Sequence, residues 1–185
     1  MMGAVHAWLR ANAPEWAVLR PSWFMQNFSE GQHRTPIRQE AAIYSATQDG
    51  RIGFIDTEDI ARCAAELLTV PELENTDRVL TGPQAVSYDT VAEVLSRHLG
   101  RTIEHRRLAP AALEKRYLDL GFPEDYAKAL AAMDETIAGG SEDRTTHSVE
   151  TITGRTPTRI DEFVRRNVDA WSSHSNTEIR KELLN

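Results

Sequence analysis

The chain has 185 residues, enough for one domain or slightly more with a genuine buried core. Its 41% hydrophobic and 26% charged residues are ordinary for a globular protein, and its net charge of −7, with acids and bases interspersed, lacks the basic face that general nucleic-acid binding requires. No apolar run approaches the roughly 20 residues of a bilayer span; Met1–Pro14 has neither the basic start nor the apolar core of a signal peptide; and a single cysteine, Cys63, cannot close an internal disulfide, so a reducing, cytoplasmic setting is expected.

In chain order, Gly3–Ala13 reads as a short helix with Val5, Trp8 and Leu9 at helical spacing, stopped by Pro14. Trp16–Arg20 is a short apolar run of the kind a buried parallel strand carries, and Pro21 ends it. Residues 23–33 read as irregular chain or one short helix. Ala41–Ala46 and Ile52–Ile55 are strand candidates around a Gln48-Asp49-Gly50 turn. Asp56 or Thr57 caps a helix bearing Ile60, Ala64, Leu67 and Leu68, closed by Pro71. Arg78–Thr81 is a strand running into Gly82-Pro83. Ser87 caps a helix with Val91, Val94, Leu95 and Leu99 on one face and Gly100 at its end. Ile103–Arg107 is a strand. Pro110–Leu120 and Pro123–Ala138 are helices with proline near the first turn, and Ile160–Trp171 is a last amphipathic helix. Ser172–Asn185 is a polar tail.

The alternation of strands and helices stops after residue 107 and helices take over. This predicts an α/β fold with a mixed sheet of four or five strands, followed by a helical lobe over 108–171. Residues 1–171 form one domain in this reading, with 1–107 the α/β part.

Candidate chemistry is sparse. Pro21 fixes a turn at the C-terminal edge of a strand, where ligand crevices open in α/β sheets. Ser22, Trp23, Phe24, Met25 and Asn27 are then candidates for a pocket wall, with the alternative that Trp23, Phe24 and Phe28 are core beneath a loop. Thr81 and Gly82 form a second strand-end turn. Asp56 and Asp59 read as helix-start carboxylates rather than an acid–base pair. The six histidines and Cys63 lack zinc-ligand spacing, so no metal is expected. Tyr44 and Tyr88 could each donate a proton or hydrogen bond, and His6 is a candidate acid, with a helix-surface histidine as the other reading of His6.

Four segments carry a resemblance that covers Gly3 to about Trp171. They are LRPSWFMQNF at 19–28, GRIGFIDTEDIA at 50–61, LTGPQAVSYDTVAEVLSRHLGR at 80–101 and TGRTPTRIDEFV at 153–164. In this order they resemble NmrA-like atypical short-chain dehydrogenase/reductases, especially the branch of ergot-alkaloid, festuclavine-type reductases. The resemblance implies the C-terminal half of a Rossmann-like, NAD(P)-binding fold with a helical substrate-binding lobe. It implies a reductase of small secondary metabolites in which residues 21–27, Thr81 and Gly82 face substrate or nicotinamide, and it gives Asp56 and Asp59 structural roles. The helix carrying His6 corresponds to the one that bears Tyr-x-x-x-Lys in short-chain reductases, and it has neither residue here.

A Gly-rich phosphate loop, which a dinucleotide needs together with a helix N-terminus, does not occur in the 185 residues. Only weak binding of NAD(P) by this chain alone is therefore expected, with the nucleotide-binding half missing or supplied by another chain. The Trp16–Arg20 strand is expected to have an edge that a second copy or a partner chain covers. A cofactor-independent isomerase, cyclase or lyase and a non-catalytic regulatory module are the other function classes left open.

Overall fold

The computed structural model describes residues 2–72 and 74–172. The tail reading, with Ile179, Leu183 and Leu184, lies almost entirely outside these residues. Sixteen short elements make up the described chain. Helix α1 (Met2–Asn12) leads to strand β1 (Ala17–Pro21), a single turn α2 (Gln26–Ser29) and α3 (Arg34–Glu40). Strands β2 (Ala42–Ser45) and β3 (Arg51–Ile52) precede helix α4 (Thr57–Thr69). Strands β4 (Thr76–Leu80) and β5 (Val86–Ser87) lead into α5 (Tyr88–Leu99) and β6 (Glu104–Arg107). Helices α6 (Pro110–Asp119), α7 (Glu124–Ala138), α8 (Ser148–Thr153) and α9 (Ile160–Arg166) follow, with a closing 3₁₀ turn at Val168–Trp171.

Local chemistry explains the helix ends. The Asp56 carboxylate accepts from Glu58 N–H at 3.0 Å and starts α4, and the Ser87 hydroxyl accepts from Thr90 N–H at 3.2 Å and starts α5. Gly100 closes α5 at φ 64°, the left-handed conformation that glycine takes without strain. Trp171 does not belong to one long helix from Ile160, because the α-helix ends at Arg166 and resumes as the 3₁₀ turn.

The fold is α/β, but its strands do not form the expected single sheet of four or five. Among the described residues, β1 pairs with β4 and β2 with β6, both parallel, and β3 pairs with β5 antiparallel, in three separate two-stranded ladders. Ile55 lies beyond β3 and makes only an isolated parallel bridge with Phe24. The apolar run Ile52–Ile55 leaves its ladder after Ile52 but still bonds on both sides, Gly53 O accepting from Gly82 N–H and Ile55 bonding Trp23 and Met25, with Ile52, Phe54 and Ile55 at most 1% exposed.

Packing takes over where the ladders stop. The main core joins Phe28, Ile37, Ile43, Phe54, Tyr88, Leu95, Phe163 and Trp171. Phe28, Phe54 and Tyr88 meet edge to face, with ring centroids 5.1–5.7 Å apart. A second cluster places Leu113, Tyr117, Ala127 and Leu130 of the α6–α7 pair against Ala46, and a third joins Ile55, Cys63, Leu80 and Val149. Leu68, expected on the buried face of α4, is instead 84% exposed; that helix seats Asp59 and Cys63 inward.

Candidate functional site

Pro21 ends β1, and the chain then leaves the ladder under tight control. Ser22 N–H donates to Leu80 O, Ile55 N–H to Trp23 O, and Met25 N–H to Ile55 O, all at 2.9 Å. These bonds pin residues 22–25 between the ends of β4 and the Phe54–Ile55 segment. The turn of α2 is tied down by Gln26, whose amide donates to Asp56 at 2.8 Å and accepts from Thr57 N–H at 3.2 Å.

A cavity of about 460 Å³ opens beside this segment, at the C-terminal ends of β1 and β4. One wall is Pro21, Ser22, Trp23, Phe24 and Asn27, and the opposite wall is Tyr126, Leu130 and Met133 of α7. Arg20, Glu142 and Arg144 stand at the rim. Arg20 is paired with Asp77 at 2.8 Å; Glu142 lies 3.7 Å from Arg144 and accepts from the Ser22 hydroxyl at 3.4 Å. The loop carrying Glu142 and Arg144 is strapped over the strand ends. Thr146 N–H donates to Thr81 Oγ1 at 2.8 Å, and its hydroxyl donates to Val79 O at 2.7 Å.

The sequence-predicted residues divide accordingly. Pro21, Ser22, Trp23, Phe24 and Asn27 come together at the cavity. Met25 turns away into the core at 1% exposure, in helical conformation at the start of α2 (φ −61°, ψ −29°). Thr81 is fully buried and anchors the strap. Gly82 is a close approach of backbone to backbone: a Cβ there would lie 2.0 Å from Phe54 O. His6 sits on α1 with its ring 5.6 Å from Trp16, away from the cavity. Tyr44 is also outside the cavity wall. Its hydroxyl donates to Glu40 and accepts from Arg106, both at 2.8 Å, and the Arg116 guanidinium lies 3.6 Å from its ring centroid.

The two aspartates of the helix start are structural. Asp56 is ion-paired with Arg166, and Asp59 accepts from Thr158 N–H at 2.7 Å and from Arg62 at 2.8 Å. The α7 wall and the rim pair were not legible in sequence, since they arrive more than 90 residues after the β1 turn.

Several buried titratable groups lie outside the cavity lining. Ser45 Oγ is 2.7 Å from His105 Nε2, while His105 Nδ1 stands 3.2 Å from Asp89 Oδ1, too poorly aligned for a hydrogen bond. The order Ser–His–Asp invites comparison with a hydrolytic triad. Ser45 is fully buried, so no substrate carbonyl can reach it. Burial holds His105 below its ordinary range and, with the charge of His105, drives His33 down to about 3. Asp134 on α7 accepts from Ala46 N–H at 2.8 Å, and burial raises its carboxyl to about 6 despite that bond.

Chemically, the cavity offers aromatic and aliphatic walls, one carboxamide, the two hydroxyls of Ser22 and Tyr126, and a carboxylate and two guanidinium groups that are ion-paired. It suits a small, largely apolar molecule oriented by a few polar contacts. Among the described residues there is no cluster of ligands for a metal and no helix long and apolar enough to cross a membrane.

Known proteins match the chain along most of its length. The oxidoreductase YesF of Bacillus subtilis is 40% identical over 173 residues, covering 94% of this chain and 60% of that protein. Agroclavine dehydrogenase of Claviceps fusiformis is 43% identical over 173 residues, covering 92% and 60%. The chain thus spans about 60% of the length of these relatives. Among solved structures, the triphenylmethane reductase of Citrobacter sp. complexed with NADP(H) superimposes with a TM-score of 0.77 at 22% identity, over 89% of this chain and 57% of that one. At that identity the likeness speaks for the fold, which is Rossmann-like. The NmrA-like family profile matches residues 5–170, and the chain belongs to the NmrA-like family.

Proposed function

We propose that this chain is the substrate-binding portion of an NAD(P)-dependent oxidoreductase that reduces a small secondary metabolite. The observation that carries the reading is the cavity of about 460 Å³ at the ends of β1 and β4, walled by Trp23, Phe24 and Tyr126 and fitted with the Asn27 carboxamide. Ligands of open α/β folds bind at such strand ends. The dehydrogenase named among its relatives and the neighbour that holds NADP(H) support the redox class.

The cofactor, when bound, supplies the hydride. Within this reading the residues of the chain position the reacting pair. The Trp23 and Phe24 rings exclude water, and Asn27 and Ser22 orient polar groups of the ligand. The phosphates of the dinucleotide are held by groups outside the 185 residues, since no Gly-rich turn opens a helix here.

Saturation-transfer NMR with NADPH tests this. Signal is expected on the nicotinamide protons and not on the adenine protons, with a dissociation constant weaker than low micromolar. Asn27→Ala and Trp23→Ala should reduce the nicotinamide signal. A dissociation constant in the low micromolar range or tighter, or transfer to adenine alone, would overturn the reading.

A further inference from the structure

We propose that the turn joining α6 and α7 is an aromatic lip that seats the outer ring of an uncharged polycyclic substrate, with Tyr126 as a specificity-determining residue. The inference rests on the pocket reading above and adds the size and charge of what the pocket takes.

Tyr126, Leu130 and Met133 fall on one stripe of α7, four and three residues apart. Along that stripe the middle residue, Leu130, is 8% exposed, while Tyr126 at the α6 end and Met133 at the other are 53% and 48% exposed, and all three line the cavity. The wall therefore continues outward past the cavity mouth. Phe24 faces the same opening from the β1 side and is 39% exposed. Leu118 and Leu120, at the end of α6, are also exposed, at 40% and 51%. Exposed apolar side chains at the mouth of a pocket mark a place where a ligand or partner sits.

Tyr126 is also preordered. Its ring stacks on Phe122 at 5.7 Å and 14°, and Phe122 rests on the buried Tyr117 at 5.4 Å. Gly121, at φ 87°, sets the reversal that brings Phe122 back onto Tyr117. An aromatic face fixed in advance loses little side-chain entropy on binding a flat ring. Charge selects against ions. The three charged side chains of the cavity, Arg20, Glu142 and Arg144, are already paired, two with each other and one with Asp77.

Two neutral alcohols of different width test the lip on the full chain: 9-anthracenemethanol, with three fused rings and its own fluorescence, and benzyl alcohol, with one ring, measured by competition. Tyr126→Ala should weaken the three-ring probe by about 3- to 10-fold, the size of one aromatic contact, and weaken benzyl alcohol distinctly less. Tyr126→Phe should restore the loss. Trp23→Ala, in the inner wall, should weaken both probes. Equal losses for the two probes in Tyr126→Ala, or none, would overturn the lip while a Trp23→Ala effect leaves the pocket reading standing. If neither probe binds, or Trp23→Ala changes nothing, the lip and the pocket reading both fall. A dimer in light scattering that Tyr126→Ala dissolves would assign the patch to a second copy of the chain and overturn the proposal.

Discussion

Two buried residues make stability depend on pH in opposite senses. Asp134 has its carboxyl raised by burial to about 6, against about 3.9 in an unfolded chain. The folded state therefore favours the protonated acid. That contribution is complete below about pH 3.9 and is lost as the pH climbs through 6. Asn keeps an acceptor for Ala46 N–H and removes the buried charge. Asp134→Asn is expected to gain about 1–3 kcal/mol at pH 8, with the gain shrinking toward pH 4 in urea titrations; a pH-independent effect would contradict the assignment. His33 runs the other way. Its folded value of about 3 lies below the ordinary 6.5, so the neutral ring is favoured, and the stability present above pH 6.5 is lost as the pH falls toward 3. Its Nε2 has no hydrogen-bond partner among the described residues, and its ring stacks on Phe28 at 5.3 Å. His33→Phe should therefore flatten the acid limb between pH 6 and 4, which thermal melts across that range would read.

At the level of elements, the strap over residues 139–147 is anchored through Thr146, whose N–H donates to the buried Thr81 hydroxyl and whose own hydroxyl donates to Val79 O. Thr81→Val leaves Thr146 N–H without its acceptor, at a cost of about 1–3 kcal/mol. Hydrogen exchange should then quicken at Thr146 and Arg144 while α5 stays protected. If α5 loses protection in parallel, the strap is not a separate unit. The elements themselves were unequally legible. Helices α4 to α7 announce themselves by caps, periodic apolar residues or an initial proline. Helix α3 does not, because RTPIRQE is polar with a proline inside it, and it survives by burying Pro36 and Ile37 against the core. Helix α8 hides in the same way, with Val149 its one buried residue. The near half of the site could be read because a proline directly follows an apolar run. Its far half, from Tyr126 to Arg144, depends on tertiary packing, which residue spacing within a segment does not encode.

For the molecule as a whole, the exposed parts of α1 and β1 matter most. Val5 and Trp8 are 51% and 62% exposed, and β1 has β4 as its one partner strand among the described residues. Apolar side chains beside an open edge favour pairing with another chain. Multi-angle light scattering at micromolar concentration is expected to find more than one copy, and Trp8→Arg to shift the population toward monomer. A clean monomer for the unaltered chain would contradict this.

Trp171 closes the 3₁₀ turn deep inside the molecule, 1% exposed, with its indole N–H donating to Phe28 O at 2.8 Å. Together with Trp8 on the surface of α1, Trp16 before β1 and Trp23 in the cavity wall, it gives four emitters at four depths. Iodide would quench Trp8 first, a ligand in the cavity would alter Trp23, and Trp171 would stay blue-shifted until the core opens. Three single Trp→Phe replacements would separate these signals, so that surface docking, pocket occupancy and global unfolding could each be followed by emission without an added label.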